Sequence, residues 1–181
     1  WCYLDQQQSC KPLHDLVPLR QRIIKRPVIT TVEVLTGPIR GRQSTHIMTG
    51  YVHKPYPPVY EQLAKLARFD SAVIVRGIEG GVQPALNKPG KYFQYLGLDG
   101  TLQEIDLSPD ELQLQHNQRC VPVAPEAISI SDDGKEETVD VERLAQLAAK
   151  EGLAALQGQT GLALDGLCYS AAIMLHHLNK A

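Results

Sequence analysis

The segment Ser71-Ala72-Val73-Ile74-Val75-Arg76-Gly77-Ile78-Glu79-Gly80-Gly81 carries the residues best suited to chemistry. A β-branched run ends in a turn that holds one cation, one carboxylate and three glycines. Glycines let a backbone approach a ligand closely, and Arg76 and Glu79 supply charge beside it. In open α/β sheets ligands sit at the carboxyl ends of strands, so this turn marks the expected site. It is not a dinucleotide fingerprint, because Pro84 and Pro89 stand where a helix must follow. His53, at the end of another expected strand, is placed to contact a phosphate.

Arg20 is the second candidate. Leu13, Leu16, Val17 and Ile24 share one face of an expected helix over 12–25, and Arg20 falls in the centre of that face. A cation there snorkels, pairs with a carboxylate such as Asp15 or Glu33, or points into a ligand cleft. Charge is uneven along the chain. Residues 1–60 carry eight Lys/Arg against three Asp/Glu, and the remainder ten against seventeen, for a net charge of −2. A basic N-terminal third suits an anionic ligand such as a phosphate, a carboxylate or a nucleic acid backbone, or is a solvated face.

Other constellations are weak. His176-His177 are adjacent rather than at the i, i+4 spacing of a zinc helix, so a helix-end role near the dipole is expected. His14, His46 and His116 have no partner that the sequence identifies, and Ser170 lacks a nucleophile-elbow context. Tyr92, Phe93 and Tyr95 either stack on bases or pack a hairpin onto the core. Cys2, Cys10, Cys120 and Cys168 are scattered without a CxxC pair, which argues against a zinc site or a disulfide scaffold and for a cytoplasmic protein. No apolar run approaches the roughly 18 residues that span a membrane, and no signal-peptide pattern is seen.

These residues need elements to hold them. With 181 residues, 43% hydrophobic and 21% charged, the chain reads as one globular domain. Beyond the helix over 12–25, Val28 to Leu35 reads as a strand, Thr36-Gly37-Pro38 as a turn and 40–44 as a basic loop. His46 to Val52 reads as a strand, and Pro58 to Arg68 as a helix with Val59, Leu63 and Leu66 inward. Ala72 to Val75 closes a right-handed βαβ crossover. Tyr92 to Leu98 and Leu102 to Leu107 flank Asp99-Gly100 as a hairpin. Ser108-Pro109-Asp110-Glu111 reads as a capping box, 117–138 as loop, and 141–156 and 164–178 as helices.

In their common order these motifs resemble the glycosyltransferase family 3 group, which includes the anthranilate phosphoribosyltransferases. Leu19-Arg20 followed by Arg26 resembles the family's Val-Arg, then Arg-Thr, and Leu35-Thr36-Gly37-Pro38-Ile39 resembles its Leu-Gly-Pro-Leu turn. Thr49-Gly50-Tyr51-Val52-His53 resembles its Gly-Val-Tyr-His strand, and Val75-Arg76-Gly77-Ile78-Glu79-Gly80 its Val-His-Gly-Glu-Asp-Gly. Leu156-Gln157-Gly158, Asp165 and Ser170-Ala171-Ala172 look like the family's tail. The likeness covers only the C-terminal half or so of the family. The chain begins at Trp1 rather than Met, as a processed product, an expression product or part of a longer protein does.

The resemblance implies an α/β domain with a mixed, mostly parallel sheet flanked by helices, residues 1–181 being the C-terminal part, and often a homodimer. It implies transfer of phosphoribosyl from phosphoribosyl pyrophosphate to an aromatic amine, as in tryptophan biosynthesis. Arg20 would bind the acceptor's carboxylate, and Arg26, His53, Arg76, Gly77, Glu79 and Gly80 would line the substrate site. Two features depart from the family. Its glycine-rich phosphate loop and Asn-x-Ser-Thr motif are not in this chain, and Val82-Gln83 replaces an Asp-Glu pair that binds Mg²⁺. No cofactor is therefore expected in this chain. Family members lacking those carboxylates include nucleic-acid-binding proteins. A reduced relative would use Arg20, Arg22, Lys25, Arg26, Arg40 and Arg42 for that purpose, or serve as an assembly domain.

Overall fold

The computed structural model describes residues 3–23, 29–130 and 137–179. Four short helices come first: α1 (Gln6–Ser9), α2 (Lys11–His14), α3 (Val17–Gln21) and α4 (Ile29–Glu33). Then follow β1 (His46–Gly50), α5 (Tyr56–Leu66), β2 (Ser71–Val75), β3 (Gly90–Leu96) and β4 (Gln103–Leu107). A small ladder, β5 (Ile128–Ile130) and β6 (Glu137–Val139), precedes two long helices, α6 (Val141–Leu156) and α7 (Leu162–His177).

The β-branched run of β2 dictates the layering. All five of its residues are buried, so it needs a neighbour on each edge and cover on each face. The sheet order is β1-β2-β3-β4, with β2 inside. Period-two alternation sends Ala72 and Ile74 to one face, where they meet Tyr60 and Ala64 of α5 and Tyr95 of β3. Val73 and Val75 go to the other, against Tyr92 and Ile173 of α7. Ala72, Val73, Ile74 and Val75 are 0% exposed. Each of the larger three contributes roughly 1.5–3 kcal/mol of hydrophobic burial. Tyr95 hydrogen-bonds the Phe69 carbonyl from inside the core at 2.9 Å, and burial, with Glu61 and Asp70 adding, pushes its phenol up to about 12.

The architecture is α/β with a mixed sheet. β1 and β2 pair in parallel across α5, whereas β2–β3 and β3–β4 are antiparallel, so the parallel part is smaller than expected. The hairpin is present, although Gly97 (φ 74°) supplies the left-handed residue of its loop. Asp110–Leu112 is a helical turn without a side-chain cap, so Ser108 does not close a capping box.

Four local expectations are overturned. Over its described part, to residue 23, the single helix expected over 12–25 is two short helices, with Pro18 in the first turn of the second, α3. The strand read over 28–35 is the helical turn α4 for its described part. Its β-branched run finds no open ladder and instead delivers Leu35 to the core at 6% exposure. On α5, Val59 and Leu66 are 45% and 79% exposed, while Pro57, Tyr60 and Ala64 face inward with Leu63 partly buried. The segment 117–138, read as loop, contains the β5–β6 ladder. α6 begins where Asp140 accepts a hydrogen bond from the Arg143 N–H at 2.9 Å. Asp140→Ala is expected to cost about 1 kcal/mol, read as faster amide exchange in the first turn of α6.

Candidate ligand-binding site

The Arg76–Gly81 turn lies at the carboxyl end of β2, beside the end of β1. Its backbone folds back onto both strand ends. A Cβ at Gly77 would lie 1.7 Å from the Gly81 carbonyl oxygen, and one at Gly50 would lie 2.1 Å from the same atom. Glycine at 50 and 77 is therefore a steric requirement. Glu79 takes a left-handed conformation (φ 51°, ψ 25°), followed by Gly80 at φ 81°. A non-glycine residue held in this region costs about 1–3 kcal/mol, and such residues cluster at functional sites.

This turn forms one wall of a 760 Å³ cavity. Tyr51, Val52 and Lys54 reach it from the end of β1, Phe93 and Glu104 from the hairpin, and Tyr169 from α7. Five cations line it, Lys54, Arg76, Lys88, Lys91 and Arg119, against two carboxylates, Glu79 and Glu104. Lys91 pairs with Glu104, which raises the pKa of its ammonium chiefly through their hydrogen bond. Among the described residues, Lys54, Arg76, Lys88 and Arg119 have no carboxylate within ion-pair distance. Four unpaired cations facing one carboxylate make a field that attracts anions.

Two tyrosines supply neutral donors. Burial pushes the Tyr51 phenol above its ordinary value; Arg76 pulls against this, Glu104 adds to it and Lys91 pulls it back. Burial likewise raises Tyr169, with Glu111 adding. Both therefore keep their protons at neutral pH. Tyr51 packs edge-on against Phe93 with centroids 5.9 Å apart, giving the cavity an aromatic wall beside its cations.

Of the residues singled out in the sequence, Arg76, Gly77, Glu79 and Gly80 line this cavity together. His53 stays exposed beside it, its ring 5.8 Å from that of Tyr56, while its neighbours Val52 and Lys54 contribute. Arg20 is elsewhere. It donates to Glu33 Oε1 at 2.5 Å and so ties α3 to α4. Arg26 and Lys25 lie outside the described residues. Arg40 is also engaged, donating to the Ala67 and Arg68 carbonyls at 2.7 and 3.2 Å with its guanidinium 4.6 Å over the Phe69 ring. Of the basic N-terminal set, Arg22 and Arg42 make no side-chain hydrogen bond or ion pair among the described residues.

Lys54, Lys88, Lys91, Arg119 and Tyr169 were not singled out. The signal for the middle pair was Lys88-Pro89-Gly90-Lys91, a second charged turn just before an expected strand. Two of the three histidines without evident partners in the sequence have them. His116 Nε2 meets Asp165 Oδ2 at 2.6 Å, and His46 bonds Ser44 and Ser71. The helix-end role expected of His177 gives way to a buried one. It is 2% exposed, and burial, aided by His46 and His176, lowers its pKa, so the ring is neutral and not a dipole-facing cation. Tyr92 and Tyr95 pack into the core.

Val82-Gln83, where the resemblance would place magnesium carboxylates, does not fit that ion. Val82 has no side-chain donor atom, and the Gln83 amide packs against Gly166 of α7, with Nε2 buried and without a hydrogen-bond partner among the described residues.

Fold and site together define a class: an α/β domain with a cation-lined cavity at the carboxyl ends of its parallel strands. No family model matches the chain. Over 87 residues, 48% of this chain, it is 32% identical to a protein of Aquifex aeolicus (strain VF5) described as an uncharacterized protein. That match spans 27% of the Aquifex protein's length.

Proposed function

We propose that this domain holds a small anionic ligand with a flat or ring-shaped part in the strand-end cavity. We further propose that it belongs to a cytoplasmic phosphoribosyltransferase of the glycosyltransferase family 3 type. The observation that carries the reading is the set of cations around one cavity, Lys54, Arg76, Lys88 and Arg119, that have no ion-pair partner among the described residues. The Tyr51–Phe93 wall supports a ring, and the Arg76–Gly81 turn supports close backbone approach. The free thiols of Cys10, Cys120 and Cys168 suit a reducing compartment.

In the whole reaction an acceptor amine nitrogen bonds the ribose anomeric carbon as the bond to pyrophosphate breaks, and the amine proton passes to solvent. The contribution of these residues is positioning and charge: cations neutralise phosphate oxygens, and Tyr51 donates a hydrogen bond. Calorimetric titration with phosphoribosyl pyrophosphate tests this. One site is expected, with affinity falling as salt rises. No heat at saturating ligand and no protection of 76–91 would remove the reading. Oligonucleotide binding with a steep salt dependence that spares the cavity would replace it with a nucleic-acid role.

A further inference from the structure

The α7 face of the sheet holds a buried polar chain unrelated to the cavity. It begins in the exposed loop before β1 and ends under the last turn of α7. Ser44 Oγ meets His46 Nε2 at 2.7 Å, and His46 Nδ1 meets Ser71 Oγ at 2.6 Å. The same Ser71 Oγ meets His177 Nε2 at 2.7 Å, and His177 Nδ1 meets Gln94 Oε1 at 2.7 Å. Ser71, Gln94 and His177 are 2%, 8% and 2% exposed.

Donor counting fixes the direction of this chain. With the Gln94 oxygen toward the ring, His177 Nδ1 carries a proton, so Nε2 of the neutral imidazole is bare and accepts from the Ser71 hydroxyl. Ser71 has one proton, so its oxygen must accept from His46 Nδ1–H. His46 Nε2 is then bare and accepts from Ser44. Four hydrogen bonds point the same way, and every member is satisfied.

A proton that enters at His46 from the Ser44 side has a path inward. His46 passes its Nδ1 proton to Ser71, and Ser71 passes its own to His177 Nε2. That leaves His177 charged and His46 neutral, with Nε2–H now donating to Ser44. The charge at His177 then has no counter-ion among the described residues. The titratable groups facing it are His46 from β1 and His176 on α7 itself, while β2 and β3 offer the neutral Ser71 and Gln94. No carboxylate among the described residues pairs with it.

We infer that His177 is a pH-sensitive latch. Neutral, it locks the C-terminal turn of α7 to β2 and β3; charged, it releases that turn from the sheet. The sign follows from burial: the folded group binds its proton less readily than the unfolded one, so the latch is whole above the ordinary histidine range and fails as pH falls below it. Tyr169, which lines the cavity, stands eight residues earlier on α7, about 12 Å along its axis. The inference does not depend on what the cavity binds.

Hydrogen–deuterium exchange of the native chain, corrected for intrinsic rates, tests it together with imidazole ¹⁵N shifts. Between about pH 7.5 and about pH 5.5, protection of the amides near 174–179 is expected to fall at least about tenfold. Protection of α5, on the opposite face, stays constant, and His177 in the folded chain titrates below the ordinary histidine range. In His177→Gln the pH dependence of the α7 end disappears. Titration of His177 with flat α7 exchange overturns the latch, as does loss of α5 and α7 protection together. Should the variant fail to fold, the wild-type measurements alone decide.

Discussion

Arg76→Ala is expected to weaken binding of phosphoribosyl pyrophosphate by about 10–100-fold, the worth of one charge-assisted hydrogen bond of roughly 1.5–3 kcal/mol. Arg76 follows directly on the buried strand β2, so its backbone is held by the best-packed element of the fold. Its side chain is exposed into the cavity and, among the described residues, has no carboxylate within ion-pair distance. A rigidly placed, unpaired guanidinium carries most of its interaction energy into the ligand complex. Arg76→Lys should recover part of the loss, because a point charge replaces a planar fork without its bidentate geometry. Glu79→Gln should do the opposite and tighten binding, since it removes the carboxylate that opposes the unpaired cations. Calorimetry on the three variants reads all of this. Equal affinity in wild type and Arg76→Ala would remove the cavity from the account.

Gly77→Ala is expected to abolish measurable ligand binding and to destabilise the fold by about 3 kcal/mol, near the upper range for an overpacked site. Its backbone angles (φ −83°, ψ 172°) suit any residue, so the cost is purely steric. The added methyl would sit 1.7 Å from the Gly81 carbonyl oxygen and 2.5 Å from its carbon. Neither is a flexible side-chain end, so the turn itself must move, and with it Arg76, Glu79 and Gly80. Gly152→Ala is the control. Gly152 lies within α6 with nothing within 4 Å of its Cβ position, so alanine there should stabilise the protein by up to about 1 kcal/mol. Urea denaturation of both variants separates the two glycines. A neutral Gly77→Ala would mean that the turn does not fold back on the strand ends.

What the sequence revealed was local. The run 71–75 and the glycine turn after it are contiguous, and their types alone give a buried strand with a loop at its carboxyl end. The hairpin around Asp99-Gly100 and the Asp140-capped helix were legible for the same reason. What failed depended on partners distant in the chain. Val28 to Leu35 has strand composition, but its described part, from Ile29, joins no ladder among the described residues, and α5 turns Tyr60 and Ala64 inward because Phe69, Ala72 and Tyr95 need cover there. The cavity's cations come from four separated places, the end of β1, the end of β2, the 88–91 turn and Arg119, so no single window contains the site. The histidine network joins residues 25, 83 and 106 positions apart, which no spacing rule reaches. Arg20 shows the converse. Its place on an apolar face was legible, and Glu33 is the partner that makes that position tolerable.

The central claim is that the cavity at the ends of β1 and β2 is an anion site. Titration of the ¹⁵N-labelled chain with phosphoribosyl pyrophosphate, followed residue by residue, tests it most directly. Saturable shifts confined to Lys54, Arg76 to Gly81, Lys88 to Lys91 and Arg119 are predicted, weakening as salt is added. Shifts at Arg22 and Arg42 with this cluster unmoved, or no saturable shift at all, would contradict it.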